Sequence, residues 1–350
     1  MSSITHLPGF GGHDLALDLG TSNTLVYLPG RGIVLSEPTL VAVDSRTEDV
    51  RAVGTEAKRL LDRGAESVTA VRPLRDGVIT DSELTEEMLR RFIRQAYRSR
   101  RAHPRTVVVG VPSGATGIEK RAAERACLAA GARHVHLIEE PLAAAIGAGL
   151  PVAELTASVV VDIGGGTSEA AVISLGEIVA WQSIRIGGDE LDRAIIRHLR
   201  RAHGLSVGQQ TAEAVKLRIG SALPVSTEPR FEVRGRDVRS GRPGSVVLTS
   251  EEIRGTLERP VARITDVVKQ ALARTPPELG ADIIDRGIMV AGGGSLLRGL
   301  LERMRHETQM PAYLAEMPLT CVAAGSGAWL EQLEPVNGSD KEAGRAKLSA

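Results

Sequence analysis

Aromatic residues are almost missing from this chain: Phe, Tyr and Trp make up 2% of its 350 residues. So few rings leave little for a base-stacking platform, which argues against binding single-stranded nucleic acid. Net charge is missing as well. Forty-three Lys and Arg stand against 43 Asp and Glu, so bulk attraction to nucleic acid or membrane is not expected. With Cys127 and Cys321 as the only cysteines, neither a disulfide framework nor a zinc site is available. No run of about 18 or more apolar residues occurs, so nothing reads as a bilayer span. The opening MSSITHLPGFGGH has neither the basic nor the apolar region of a signal peptide, and a cytoplasmic location is expected. Residues 1–13 and the polar tail 334–350 read as loosely attached or disordered. A P-loop ending in Gly-Lys-Ser/Thr is also absent.

What is present begins with size. A chain of 350 residues, 42% apolar and 25% charged, exceeds one typical core and suggests two domains. The stretch SVVVDIGGGTSEAAVISLG, 158–176, reads as two buried strands joined by a tight hairpin. Gly164, Gly165 and Gly166 would let the backbone take left-handed angles and leave no side chain between its N–H groups and a ligand. Such a turn makes a nest for phosphate oxygens. Asp162 at its mouth would repel phosphate unless a divalent cation lies between, which points to hydrated Mg²⁺. Residues 14–28, DLALDLGTSNTLVYL, repeat the design with Asp18, Gly20, Thr21, Ser22 and Asn23. The repeat suggests two related halves closing on one nucleotide. A third element, GIMVAGGGSLLRGL from 287 to 300, reads as a strand, a Gly292-Gly293-Gly294 turn, and a helix capped by Ser295.

The order and spacing of these three motifs resemble the actin/Hsp70/sugar-kinase ATPase superfamily. RPLRDGVITD (72–81), VPSGATGIEKRA (111–122), IEEPLAAAIGAGLP (138–151) and TAEAVKLRIGSA (211–222) narrow the resemblance to the MreB family of bacterial actin-like proteins, over about 14–333. It implies an α/β, actin-like (ribonuclease H-like) two-domain fold: 14–154 with a small insertion about 42–74, and 155–333 with one about 191–250. The nucleotide is expected in the cleft between them. It also implies ATP and Mg²⁺ as cofactors, and Asp18 and Asp162 as metal residues acting through water. Adenosine is expected near Gly292, Gly293 and Gly294. Glu139 and Glu140 sit where a helix starts, and by position alone both read as capping carboxylates. The resemblance selects Glu140 to orient a water on the γ-phosphate, with Thr167 assisting. Glu213 and Lys216, three apart on one helix face, read by spacing as a surface ion pair. The resemblance places them at the ribose and adenine side instead.

The function so implied is a slow ATPase that polymerises into membrane-associated filaments and organises cell-wall synthesis and cell shape. Its implied partners are further copies of itself, the anionic membrane surface and membrane-bound cell-wall synthesis proteins, and no nucleic acid. Two rivals are a small-molecule kinase of the same superfamily and a nucleotide-binding adaptor that does not polymerise. A kinase needs room for an acceptor site that a chain this short hardly leaves. Residues 90–105 hold seven arginines and no acid, either a solvated basic helix end or an electrostatic contact for anionic lipid. The eight histidines show no paired metal-ligand spacing; His134 and His136 come nearest, as alternate residues of a strand.

Overall fold

The computed structural model describes residues 14–62, 67–99 and 103–333. The expectations for 1–13 and 334–350 lie outside them. The first half opens with a meander of β1 (Leu15–Leu19), β2 (Asn23–Leu28) and β3 (Gly32–Pro38). A small sheet follows, from β4 (Val41–Asp44), β5 (Val50–Val53) and β6 (Val68–Val71), with α1 (Gly54–Asp62) packed on it. A short hairpin, β7 (Leu74–Arg75) and β8 (Val78–Ile79), leads to α2 (Ser82–Tyr97), capped by Asp81. Then come β9 (Thr106–Val111), α3 (Gly117–Ala129), β10 (His134–Glu139) and α4 (Glu140–Gly147).

The second half has the same plan. Its meander is β11 (Ser158–Ile163), β12 (Ser168–Ser174) and β13 (Glu177–Ile184). Next come α5 (Gly188–Ala202), β14 (Leu205–Ser206), α6 (Gln209–Ile219), β15 (Arg230–Asp237) and β16 (Pro243–Thr249). The long α7 (Ser250–Ala273) and the short α8 (Gly280–Arg286) precede β17 (Ile288–Ala291), α9 (Leu300–Thr308), β18 (Ala312–Leu314) and α10 (Cys321–Gln332). The two large sheets run β3-β2-β1-β9-β10 and β13-β12-β11-β17-β18. In each, three antiparallel strands are followed by two parallel ones. The repeat read from two short motifs thus extends through ten strands, and α4 and α10 occupy equivalent places after β10 and β18.

Strand alternation decides what faces the other half. Successive side chains point to opposite faces. Leu15, Leu17 and Leu19 enter the core of the first half, while Ala16 joins a central core shared by both. Val159, Val161 and Ile163 likewise enter the core of the second half, and Val160 the central one. Asp18 and Asp162 each lie two residues beyond the inward alanine or valine and so share its face. Glu169 precedes Ala171 and Ile173, both in the central core, and Glu140 follows Ile138. Period two therefore gathers Asp18, Asp162 and Glu169 at one end of the interface, where Glu140, the first residue of α4, joins them.

The central core is completed by α4 and α10, which cross with backbones almost touching. A Cβ on Gly325 would stand 1.8 Å from the Ala143 carbonyl oxygen, and one on Gly147 1.9 Å from that of Cys321. Both glycines are required by approach rather than by backbone angle.

Candidate functional site

Between the halves lies a cavity of about 590 Å³. Its lining includes Asp18, Gly20, Thr21, Ser22, Asn23, Glu140, Asp162, Gly164, Gly165, Gly166, Thr167, Glu213, Lys216, Gly292, Gly293 and Gly294. Every candidate residue from the sequence is thus brought to one place.

Left-handed backbone angles, one of the two reasons expected for these glycines, do not explain most of them. Left-handed φ occurs at Gly292 (+79°) but at none of Gly20, Gly164, Gly165 and Gly166. The two hairpins instead approach so closely that side chains have no room. A Cβ on Gly165 would lie 2.0 Å from Ser22 Oγ, and one on Gly166 2.5 Å from Thr21 Oγ1 and 2.7 Å from Asp76 Cα. The tip of the β7–β8 hairpin wedges in beside them, with Gly77 N–H donating to Thr21 Oγ1 at 2.9 Å. The nest is also smaller than expected, because Gly164 N–H closes the β11–β12 turn on the Thr167 carbonyl at 2.9 Å. The N-terminus of α5 abuts the same turn: Gly188 N–H donates to Gly164 O at 3.0 Å and Asp189 N–H to Gly165 O at 2.8 Å. Its partial positive charge therefore points at the place where phosphate was expected.

Ser295 is not a helix cap. After β17 the chain makes one 3-10 turn, 293–296, in which Ser295 Oγ donates to Gly292 O at 2.6 Å. The helix begins later, at Leu300, after Gly299 with φ +77°. Neither does Glu139 cap α4, since its side chain makes no capping hydrogen bond. Glu140 is the first residue of that helix and turns into the cavity.

The floor is acidic and largely shielded from solvent. Burial pushes Asp18 up to about 7. Burial, then repulsion from Asp18 and Glu169, pushes Asp162 up to about 7. Glu140 is raised well above the carboxylate range by burial, then by Glu169, Asp18 and Asp162. Glu169 was missed in the sequence. It sits directly across from Asp162 in the β11–β12 ladder, where like charges repel. Its Oε2 accepts from Ser113 N–H at 3.2 Å, while its buried Oε1 has no hydrogen-bond partner among the described residues. Three lining carboxylates, Asp18, Asp162 and Glu140, crowded further by the buried Glu169 behind them, fit a hydrated divalent cation with oxygen ligands.

At the other end of the cavity, Glu213 is exposed and Lys216 half-buried on α6. The two do not form the surface ion pair that spacing suggested. Lys216 Nζ lies 2.8 Å from Oδ1 of the buried Asp192 and donates to Gly188 O at 3.1 Å. Leu217, Leu296 and Leu319 are exposed here and give that end an apolar rim, which no local motif announced.

The family profile described as MreB/Mbl protein matches residues 12–338. The chain is 49% identical over 338 residues to cell shape-determining protein MreB of Escherichia coli (strain K12), covering 95% of this chain and 97% of that one. Its fold is similar to the crystal structure of MreB5 of Spiroplasma citri bound to ADP, with TM-score 0.84 and 36% identity. That match covers 91% of this chain and 96% of the other. A MamK double helical filament matches with TM-score 0.78 over 92% of this chain and 100% of that one. At 22% identity the last likeness speaks for the fold alone.

Proposed function

This chain belongs to the MreB/Mbl family of cell shape-determining proteins, homologues of actin in bacteria, and on that premise we propose that it is a filament-forming ATPase. It binds ATP with Mg²⁺ in the cavity, polymerises with itself, and lies on the cytoplasmic side of the membrane to organise cell-wall synthesis. The division at 154/155, with the two small insertions, is the working division of its domains. The observation that supports this most is the convergence of four acids, Asp162 and Glu169 buried and Asp18 and Glu140 half-buried, beneath two glycine hairpins. The ADP carried by the Spiroplasma relative agrees with it.

Asp18 and Asp162 would hold Mg²⁺ through its water, and the ion would screen the acids from the phosphates. Residues 20–23 and 164–167 receive the phosphates, helped by the N-terminus of α5. The glycines 292–294 leave space for the adenosine, the leucine rim contacts its base, and Glu213 and Lys216 serve the ribose side. Glu140 accepts a hydrogen bond from the attacking water and orients it, with the Thr167 hydroxyl beside it.

Sedimentation tests the whole reading. Wild-type protein is expected to pellet with Mg-ATP and to release phosphate without any acceptor. Asp162→Ala should bind Mg-ATP more weakly and stay in the supernatant at concentrations where wild type pellets. A soluble wild type with Mg-ATP would favour the adaptor, and turnover that needs a hydroxyl acceptor would favour the kinase.

For the membrane, the basic stretch 90–105 carries less free charge than its composition suggests. Arg90 pairs with Glu86 and Glu87, Arg91 with Glu87, and Arg105 with Asp14. Arg98 ends α2 in a left-handed conformation, φ +53°, and Arg100 and Arg101 lie outside the described residues. No helix among the described residues is long and apolar enough to cross a membrane. Attraction is therefore confined to the end of α2, at about 1 kcal/mol per basic residue near an anionic surface. Many copies in a filament multiply it. We expect filament-dependent, salt-sensitive flotation with acidic vesicles, reduced when Arg98, Arg100 and Arg101 become Ser. Equal flotation with neutral vesicles would point to an apolar anchor instead.

A further inference from the structure

A second group of ligating side chains lies at the opposite end of α5 from the cavity, about 20 Å along the helix from Gly188. His198 stands in the last turns of α5, His203 is its C-cap residue, and Glu252 is the third residue of α7. Separations of 5 and 49 positions hide the trio in the sequence. In the fold, His198 Nε2 lies 2.7 Å and His203 Nε2 2.5 Å from the same atom, Glu252 Oε1. The three potential ligand atoms are all within 4.8 Å of one another, and the rings meet edge to face at 5.6 Å.

We propose that His198, His203 and Glu252 form a binding site for a zinc-class divalent transition metal, which clips the end of α5 to the start of α7. Two imidazole nitrogens and one carboxylate oxygen are a ligand set that zinc takes with water as the fourth ligand. Mg²⁺, which favours oxygen and a near-octahedral shell, does not suit it. The two cysteines, both buried singly, exclude a thiolate site but not this one. Each side chain keeps about a quarter of its surface exposed (25%, 25% and 27%), so an aquated ion has access and one coordination position stays open to water.

The carboxylate is free to serve. At the third position of a helix, Glu often returns to the N–H of the capping residue, as Glu119 does to Thr116 in α3 at 2.8 Å. In α7 the Glu252 N–H donates to Thr249 Oγ1 at 3.2 Å, but Glu252 Oε1 is turned to the two imidazoles. Without metal, both Nε2 atoms are within hydrogen-bond distance of that oxygen, a contact that an Nε2–H on each ring would make. Metal binding needs each ring to carry its proton on Nδ1, so that Nε2 offers its lone pair. A tetrahedral ion with bonds of about 2.0–2.1 Å spaces its ligand atoms about 3.3 Å apart. The two histidine contacts to Glu252 Oε1, at 2.7 and 2.5 Å, would each open by less than 1 Å to reach that spacing.

The test is a titration of the untagged full chain with Co²⁺, read by its visible absorption, then displacement by Zn²⁺, all in excess Mg²⁺ to occupy the acidic cavity. One equivalent with a low-coordinate, nitrogen-ligated cobalt spectrum is expected. His203→Gln keeps an N–H donor for Glu252 but removes a ligand nitrogen. Loss of a mere supporting partner weakens metal sites by about 10–100-fold, so loss of a ligand should cost at least about 100-fold. Glu252→Gln should weaken binding similarly, while nucleotide binding stays as in wild type in both variants. Absence of saturable binding in the folded wild type would overturn the proposal. So would unchanged affinity in His203→Gln, which would leave the histidines as hydrogen-bond donors only.

Discussion

Glu140→Gln is expected to slow phosphate release by about 10²–10⁴-fold while leaving Mg-ATP binding close to wild type, the range lost with a general base or a water-orienting group. The glutamine is nearly isosteric, so packing should survive where the helix starts. The site is tight: a Cβ on Gly110 would fall 3.4 Å from Glu140 Cγ and 3.3 Å from Val322. What changes is the acceptor. Burial and three neighbouring acids disfavour the ionised form of Glu140 when the cavity lacks a cation, and positive charge nearby would favour the carboxylate that accepts from water. Single-turnover phosphate release, with binding measured separately, checks this. An unchanged rate would leave Glu140 as an acid favoured by the dipole of α4 and nothing more.

Stability should run against pH in the unusual direction. Asp18 and Asp162 bind protons up to about 7 in the folded protein, whereas unfolded aspartates ionise near 4. Between these values the native state holds more protons than the unfolded one, so stability falls as pH rises. The contribution is complete below about 4 and gone above about 7. From pH 8 down to pH 5 each group should add roughly 2–3 kcal/mol, and the two do not simply add because each feels the other. Asp44, held down to about 2 by hydrogen bonds from Arg51, Arg46 and Thr47, acts in the opposite sense but titrates below this window. Scanning calorimetry in EDTA should therefore give a higher Tm at pH 6 than at pH 8. Asp18→Asn should raise the value at pH 8 and flatten the profile, and saturating Mg²⁺ should flatten it too. A Tm that climbs from pH 6 to pH 8 in EDTA would contradict the buried acidic floor.

Much of this site was legible because it is built from local motifs. Strand, Asp, Gly-rich turn and strand can be read in fifteen residues, and strand alternation then sends Asp18 and Asp162 to the same side as Ala16 and Val160. Glu169 was within reach too. A four-residue turn at 164–167 pairs Ile163 with Ser168 and hence Asp162 with Glu169, a register that the motif reading did not count out. The true role of Gly165 and Gly166 was not legible, because it depends on Ser22, Thr21 and Asp76 arriving from more than 80 residues away. The late start of α9 was hidden for a different reason. Ser295 has the chemistry of a cap, yet its hydroxyl turns back to Gly292 O. The trio of His198, His203 and Glu252 shows no periodic trace, since it joins the end of one helix to the start of another.

The contact of α4 with α10 has a mechanical consequence. Where Gly325 meets Ala143 and Gly147 meets Cys321, no layer of deformable side chains separates the helices, so they mesh like gear teeth. The tooth nearest the chemistry is Glu140, at the leading end of α4. A tilt of about 5° across its eight residues, about 12 Å of helix, moves one end by about 1 Å relative to the other. Misplacement on that scale can cost on the order of 10²-fold in rate. If the chain turns over ATP as proposed, a load that changes the angle between the halves would be registered as a change in the lifetime of the bound triphosphate.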